Sequence, residues 1–178
     1  MPITINGSGT ITGLSVGGLP DGTVDEDTLA SGTGGKVIAV KSDKITGEWS
    51  GNGTTWTSIA GISITHAVAN ASNKLYFWFN AVHNFGSGAG QAHYRLHDGT
   101  SAICVGDSGN GEQVSYGTVD NASRNSGGHF NAEHTPGAGS KTYTVQVRVT
   151  SGGGSYEIGQ VDTDFNALTT LTMMEVAA

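Results

Sequence analysis

Six histidines raise the question of a metal site, because imidazole is the commonest metal ligand in proteins. His93 and His97 lie in a segment that alternates like a strand, which places both on one face but roughly 13 Å apart, too far to share an ion. His129, Glu133 and His134 fall together in a predicted loop, which could bring three ligands into one site. The grouping is a weak signal for a metal site, and ordinary solvent-facing or hydrogen-bonding histidines are favoured. His129 and His134 remain candidate ligand contacts.

The acidic stretch at 162–166 resembles the start of a calcium-binding EF-hand loop. Ala167 stands where that loop has glycine, and Met173 stands where it has the bidentate glutamate, so we predict a tight turn with Asx hydrogen bonds. An irregular calcium loop is the alternative. The chain has neither a Gly-x-Ser-x-Gly elbow nor a phosphate-binding loop ending in Gly-Lys-Ser/Thr. We therefore predict no catalytic residue, no metal and no cofactor, and a protein that is not an enzyme.

Three tryptophans are candidates for stacking against sugar rings. Trp78 lies in the apolar run Leu75–Phe79 and is predicted to be a core residue, while Trp56 lies in a predicted strand. Trp49 lies beside Gly47, Ser50 and Gly51, as in a loop, and is the candidate contact for a carbohydrate. The alternative is that Trp49 covers an edge of the domain.

Charge and hydropathy exclude several partners. The chain has 8 Lys and Arg against 15 Asp and Glu, a net charge of −7, and its basic residues are scattered singly, so nucleic acid is not an expected partner. The longest strongly apolar run, Leu75–Phe79, is far shorter than the ~18 residues that span a bilayer, so no membrane insertion is expected. The first seven residues do not resemble a secretory signal. Cys104 lies in an apolar run and is predicted to be a buried thiol.

From residue 36 onward, the apolar residues recur with a period of two, and glycine, asparagine and serine separate short runs of β-branched and aromatic residues. This pattern predicts an all-β, two-sheet antiparallel sandwich resembling a jelly roll. Leu75–Phe79 is apolar on both faces, as expected of a central strand covered by the second sheet and by the arm or another subunit. The irregular stretch 106–139 is predicted to form contact loops. The candidate strands are 36–42, 55–65, 73–83, 91–97, 101–106, 113–118, 141–150, 155–161 and 168–176.

Residues 1–34 differ from the rest, because their apolar residues are isolated among Gly, Ser, Thr and Asp. We interpret them as an extended docking arm that gains order on a neighbouring surface, ahead of a sandwich domain at 35–178. A disordered tail is the alternative. A Thr-Ile echo at 4–5 and 10–11 lies within the arm, and 25–30 could form one helical turn. The predicted assembly residues of the arm are Ile3, Ile5, Ile11, Leu14, Val16 and Leu19.

Two patterns resemble small structural and tail-fibre-like proteins of marine tailed phages. The first is the opening, ITINGSGTITGLSVGGLPDGTVD at 3–25. The second is the domain, with GKVI at 35–38, YRLHDGT at 94–100 and the close LTTLTMMEVAA at 168–178. The resemblance covers nearly the whole chain but transfers no individual binding residue.

What the resemblance implies is a non-enzymatic virion-surface protein, assembled in the host cytoplasm and usually a homotrimer. Its arm would dock it to other virion proteins, and its loops would face outward. We expect a tail-fibre-like role in host attachment, with a host-surface glycan as a candidate partner. The alternatives are a capsid decoration protein that stabilises the head, and a carbohydrate-binding module.

Overall fold

A computed structural model describes residues 4–5, 11–12, 37–85, 90–103, 115–119, 126–151, 156–162 and 165–178. The chain divides into two compact units, 1–35 and 36–178. In the first unit, strands β1 (Thr4–Ile5) and β2 (Ile11–Thr12) pair antiparallel, with Ile5 opposite Ile11. The Thr-Ile echo of the sequence therefore contributes to both strands of a small hairpin. Outside the described residues lie Ile3, Leu14, Val16, Leu19, the predicted helical turn at 25–30 and Cys104.

The second unit is built from strands alone within its described residues. No described segment forms a helix long and apolar enough to cross a membrane. The strands are β3 (Val37–Ile45), β4 (Trp49–Gly51), β5 (Thr57–Val68), β6 (Lys74–Phe85), β7 (Gly90–His97), β8 (Ala102–Ile103), β9 (Ser115–Val119), β10 (Ser126–His134), β11 (Gly139–Ser151), β12 (Tyr156–Ile158), β13 (Gln160–Asp162), β14 (Phe165–Asn166) and β15 (Thr169–Val176).

Two antiparallel sheets make up the sandwich. In the first sheet the order is β3-β15-β6-β10, and β12 also pairs with β6 and carries β4 at its outer edge. In the second sheet the order is β5-β11-β7, with β8 and β9 on the far side of β7. The chain thus alternates between the sheets, and each sheet interleaves early and late strands in the manner of a jelly roll. The predicted two-sheet, jelly-roll-like sandwich is confirmed.

The alternating residues of the sequence line the space between the sheets. On β11, Tyr143, Val145, Val147 and Val149 are buried, while the residues between them lie on the solvent side. Aromatic rings from the two sheets meet across this core: Phe77 lies 4.8 Å from Tyr143, centroid to centroid. Because burial of each such side chain stabilises the fold by roughly 1.5–3 kcal/mol, this core dominates the stability of the unit.

Strand β10 corrects the predicted loop region. It pairs with β6 over its whole length, from Ser126 opposite His83 to His134 opposite Leu75. Only Phe130 and Ala132 supply apolar side chains to its buried face, so the sequence carries a weak strand signal there. Its other residues are glycines and polar residues. They are compatible with a partly solvated strand, but they produce no alternating apolar pattern in the sequence.

Two tryptophan predictions also need correction. Trp78 was expected in the core but lies on the outer face of β6, 36% exposed, because the inward positions of that strand are its odd-numbered residues. Trp49 was expected in a loop but lies in β4, an edge strand of the first sheet. Among the described residues of the second unit, the expected covering of β6 is therefore present on one face only.

Candidate functional site

Trp49 is held in place by the strand pairing around it. On β4, Trp49 lies opposite Ile158 and Gly51 lies opposite Tyr156 of β12. The indole of Trp49 folds over Gly51, so that a Cβ at position 51 would stand 2.6 Å from its Cη2 atom. A side chain at 51 would therefore push the indole away. Tyr156 meets the indole edge-on, with centroids 6.4 Å apart and an interplanar angle of 75°.

A groove of ≈ 230 Å³ opens beside this tryptophan. One wall is β4 and the buried ring of Tyr156, and the opposite wall is the 147–149 segment of β11 in the second sheet. The connection from β4 to β5 closes the end, anchored by a hydrogen bond of 2.9 Å from the Val149 amide to the Gly53 carbonyl. The polar groups along the groove come from Ser50, Asn52, Thr55, Thr57 and Arg148.

Trp56 lies close to the groove, but its ring is covered by two arginine side chains. The guanidinium carbons of Arg95 and Arg148 lie 4.4 and 4.8 Å from its ring centroid. These cation–π contacts, together with the hydrogen bond of 2.7 Å from Arg95 Nε to Gln146 Oε1, fix Trp56 against the second sheet. Its role is to cover this face.

The histidine group predicted in a loop is divided by strand β10. His129 and Glu133 point to the outer face, whereas His134 points inward and meets the ring of Tyr143 edge-on at 6.2 Å. Glu133 instead receives a hydrogen bond of 2.6 Å from Lys74. Among the described residues, no group of three His, Cys, Asp or Glu is arranged to hold a metal ion. Burial lowers the pKa of His134.

A buried aromatic cluster joins the two sheets behind the groove. Nδ1 of His83 on β6 lies 2.9 Å from the hydroxyl of Tyr94 on β7, which also contacts the hydroxyl of Tyr156. The consistent arrangement has Tyr156 donating to Tyr94, and Tyr94 donating to Nδ1 of a neutral His83. Burial lowers the pKa of His83 to about 4 and raises the pKa of both tyrosines. Nε2 of His83 is buried without a hydrogen-bond partner among the described residues.

A second buried histidine has a carboxylate partner. Nε2 of His66 on β5 lies 2.5 Å from Oε2 of Glu175 on β15. The other carboxylate oxygen accepts a hydrogen bond of 2.6 Å from the side-chain amide of Asn73. Glu175 is only 2% exposed, so both of its oxygens are satisfied inside the protein. This cluster ties the two sheets together and has no serine, threonine or cysteine nucleophile among its members.

The outer face of the first sheet carries a contiguous group of apolar side chains, which we call the outer patch: Val40, Tyr76, Trp78 and Met174. Val40, Met174 and Tyr76 are successive partners across β3, β15 and β6. Trp78 is the next outward residue on β6, and its ring stacks on that of Tyr76 with centroids 6.5 Å apart. Val40 is 63% exposed. The patch borders a shallow depression of ≈ 220 Å³ that continues to Asn131 and Glu133.

No family model and no curated protein matches the chain. Among solved structures, the chain is similar to a chain in the structure of infectious bursal disease virus, Gx strain, at 9% sequence identity and a TM-score of 0.37. The similarity covers 79% of this chain and 40% of the viral one, so this chain spans well under half the length of that neighbour.

Proposed function

We propose that this chain is a non-enzymatic structural protein of a phage virion surface, which assembles as a homotrimer and serves in host attachment. The observation that carries the proposal is the outer patch. Soluble monomers rarely leave contiguous large apolar side chains in solvent unless that surface binds something. A second copy of the chain would remove Val40, Met174 and the stacked Tyr76–Trp78 pair from water.

The resemblance to tail-fibre-like phage proteins supports placing this role on the surface of a phage virion. In that setting the apolar residues of the arm, including Ile5 and Ile11, dock the chain to other virion proteins. The buried clusters of the sandwich supply rigidity rather than chemistry, since each histidine in them is held by inward-facing groups. A rigid sandwich that presents a contact surface is the usual design of an attachment or assembly module.

Sedimentation equilibrium of the full chain tests the assembly. We expect a mass near three times 18.1 kDa for the wild type. Val40→Asp places a charge in the patch and is expected to shift the mass to 18.1 kDa, because burying an unpaired carboxylate in an apolar contact is strongly unfavourable. Leu168→Asp is the matched control, since Leu168 is also exposed, at 54%, but lies outside the patch. A wild-type mass of 18.1 kDa would refute the assembly.

A further inference from the structure

We infer that the groove beside Trp49 is a carbohydrate-binding site that holds one hexose-sized unit of a glycan. The inference deepens the attachment role proposed above by naming its ligand, and in that sense rests on it. The two can still fail separately, because the groove is built within one chain and does not include the outer patch.

The volume of the groove limits the size of the ligand that it can hold. Its ≈ 230 Å³ is below the ~300–1,000 Å³ typical of pockets for drug-sized ligands. A single sugar ring suits this space better than a nucleotide or an extended peptide. The remainder of a glycan would continue into solvent along the open side.

The side chains that line the groove limit the chemical class of the ligand. The half-buried indole of Trp49 offers a flat apolar surface of the kind that packs against the C–H face of a pyranose. Asn52 and Thr55 are exposed and supply amide and hydroxyl groups that can both donate and accept hydrogen bonds, which matches sugar hydroxyls. The exposed hydroxyl of Thr57 donates to the Thr55 carbonyl at 3.3 Å and can still accept. An apolar ring bordered by neutral hydrogen-bonding groups is the combination that a sugar needs.

Charge argues against other small ligands. None of the residues that line the groove, all within the described part of the chain, carries a carboxylate, so a divalent cation has no hard ligand there. Arg148 is the one cationic side chain of the lining, and the whole chain carries a net charge of −7, which disfavours phosphates and polyanions. A neutral sugar, or one with a single carboxylate that Arg148 can meet, remains.

The groove is also preorganised, which lowers the entropic cost of binding. Gly51 fixes the indole of Trp49, since only a residue without Cβ leaves room for it. Gly53 has φ +120°, a conformation that favours glycine, and its carbonyl is tied to Val149 of the second sheet. Two walls of the groove are therefore strands of the two sheets, and the connection that closes it is tied to the second sheet.

Saturation-transfer NMR on the full chain tests the site, with glucose, galactose, N-acetylglucosamine and glucuronic acid as probes at millimolar concentration. We expect a signal from at least one probe. Trp49→Ala should abolish it. Asn52→Ala, on the exposed rim, should weaken the affinity about tenfold without disturbing the core. Asn80→Ala, at an exposed asparagine of β6 that lines neither the groove nor the depression beside the outer patch, is the matched control and should bind as the wild type does.

Two results would overturn the inference. One is a flat response from all four probes and from a glycan array. The other is sugar binding that Trp49→Ala and Asn52→Ala leave unchanged, which would place the site elsewhere. The sedimentation mass reports on the assembly in either case, so a trimer that binds no sugar refutes the site alone, and a sugar-binding monomer refutes the assembly alone.

Discussion

His66 and His83 are both buried where the two sheets meet, in opposite chemical surroundings. His66 faces the carboxylate of Glu175, whose second oxygen is held by Asn73. His83 faces only the hydroxyl of Tyr94 and aromatic rings, and its Nε2 has no hydrogen-bond partner among the described residues. Both links cross from one sheet to the other. The link through Glu175 depends on every hydrogen-bond partner being present. The link through His83 depends on close packing and on the imidazole ring staying neutral.

The carboxylate cluster and the aromatic cluster also have different positions in the fold. The carboxylate cluster closes one connection of the sandwich, where Asn73 precedes β6 and β15 nears its end. The aromatic cluster stands behind the proposed sugar groove, because Tyr156 belongs to both. Substitutions in the carboxylate cluster should lower stability alone. Substitutions in the aromatic cluster should also disturb Trp49.

Removing the carboxylate of Glu175 should have the largest effect. Glu175→Ala leaves His66 and Asn73 buried without their acceptor, and breaking a buried pair in this way costs roughly 3–5 kcal/mol of unfolding free energy. Glu175→Gln should cost less, since an amide can still accept from Asn73. Denaturant unfolding at pH 7 measures both changes.

Glu133 provides the control for Glu175. Its hydrogen bond to Lys74 joins two side chains that are each about half exposed, at 47% and 48%. Glu133→Ala should therefore leave the unfolding midpoint nearly unchanged, as is usual for exposed pairs. Equal losses in Glu175→Ala and Glu133→Ala would contradict the view that the buried cluster depends on its carboxylate.

The pH dependence of stability should come next in size. Burial holds the pKa of His83 at about 4, below the 6.5 of an exposed histidine, so the unfolded chain binds a proton more readily than the folded one. Stability from this group is complete above pH 6.5 and falls as pH drops toward 4, by about 3 kcal/mol in total. Tyr94 and Tyr156, the groups that face it, remain neutral throughout this range because burial raises their pKa.

Denaturant unfolding at several pH values between 7 and 4 isolates the contribution of His83. His83→Gln should show a shallower loss of stability over this range than the wild type. His129→Gln, at an exposed position of β10, should keep the wild-type slope. Parallel slopes in the wild type and His83→Gln would show that the ring already takes up its proton in the folded state.

The sequence predicted those parts of the fold whose alternation is strong. β11 was recognised because its apolar residues recur at every second position, as burial of one face requires. The central β6 was recognised because Leu75–Phe79 is a continuous apolar run. β10 was missed because its strand character comes from pairing with β6, and its own residues are mostly glycine and polar groups. A local pattern cannot report such a non-local contact.

The candidate site shows the same limit at the level of single residues. Trp49 could be singled out from its small, polar neighbours in the sequence. Tyr156 and Arg148 could not, because only the pairing of β4 with β12 and the packing of the second sheet bring them beside it. The histidine pair of β10 was misplaced for the same reason, since a strand sends His129 and His134 to opposite faces.

Crowding the aromatic cluster should have the smallest of the three effects, and it tests whether packing is what holds that cluster. Gly128 on β10 is buried against the ring of Tyr94, and a Cβ at 128 would overlap the ring atom Cε2. Gly128→Ala should therefore displace Tyr94 and cost roughly 1–3 kcal/mol, as overpacked cores do.

Gly127 is the matched control, because it is the neighbouring residue of the same strand and a Cβ there meets nothing closer than the Ala81 carbonyl at 4.0 Å. Gly127→Ala should leave the free energy of unfolding within about 0.5 kcal/mol of the wild type, as surface substitutions usually do. Because Tyr94 carries the hydrogen bond to His83, Gly128→Ala should also alter the pH dependence of stability, and Gly127→Ala should not. A Gly128→Ala variant as stable as Gly127→Ala would mean that β10 can move away from Tyr94 freely, and close packing would then not be what distinguishes the aromatic cluster from the carboxylate one.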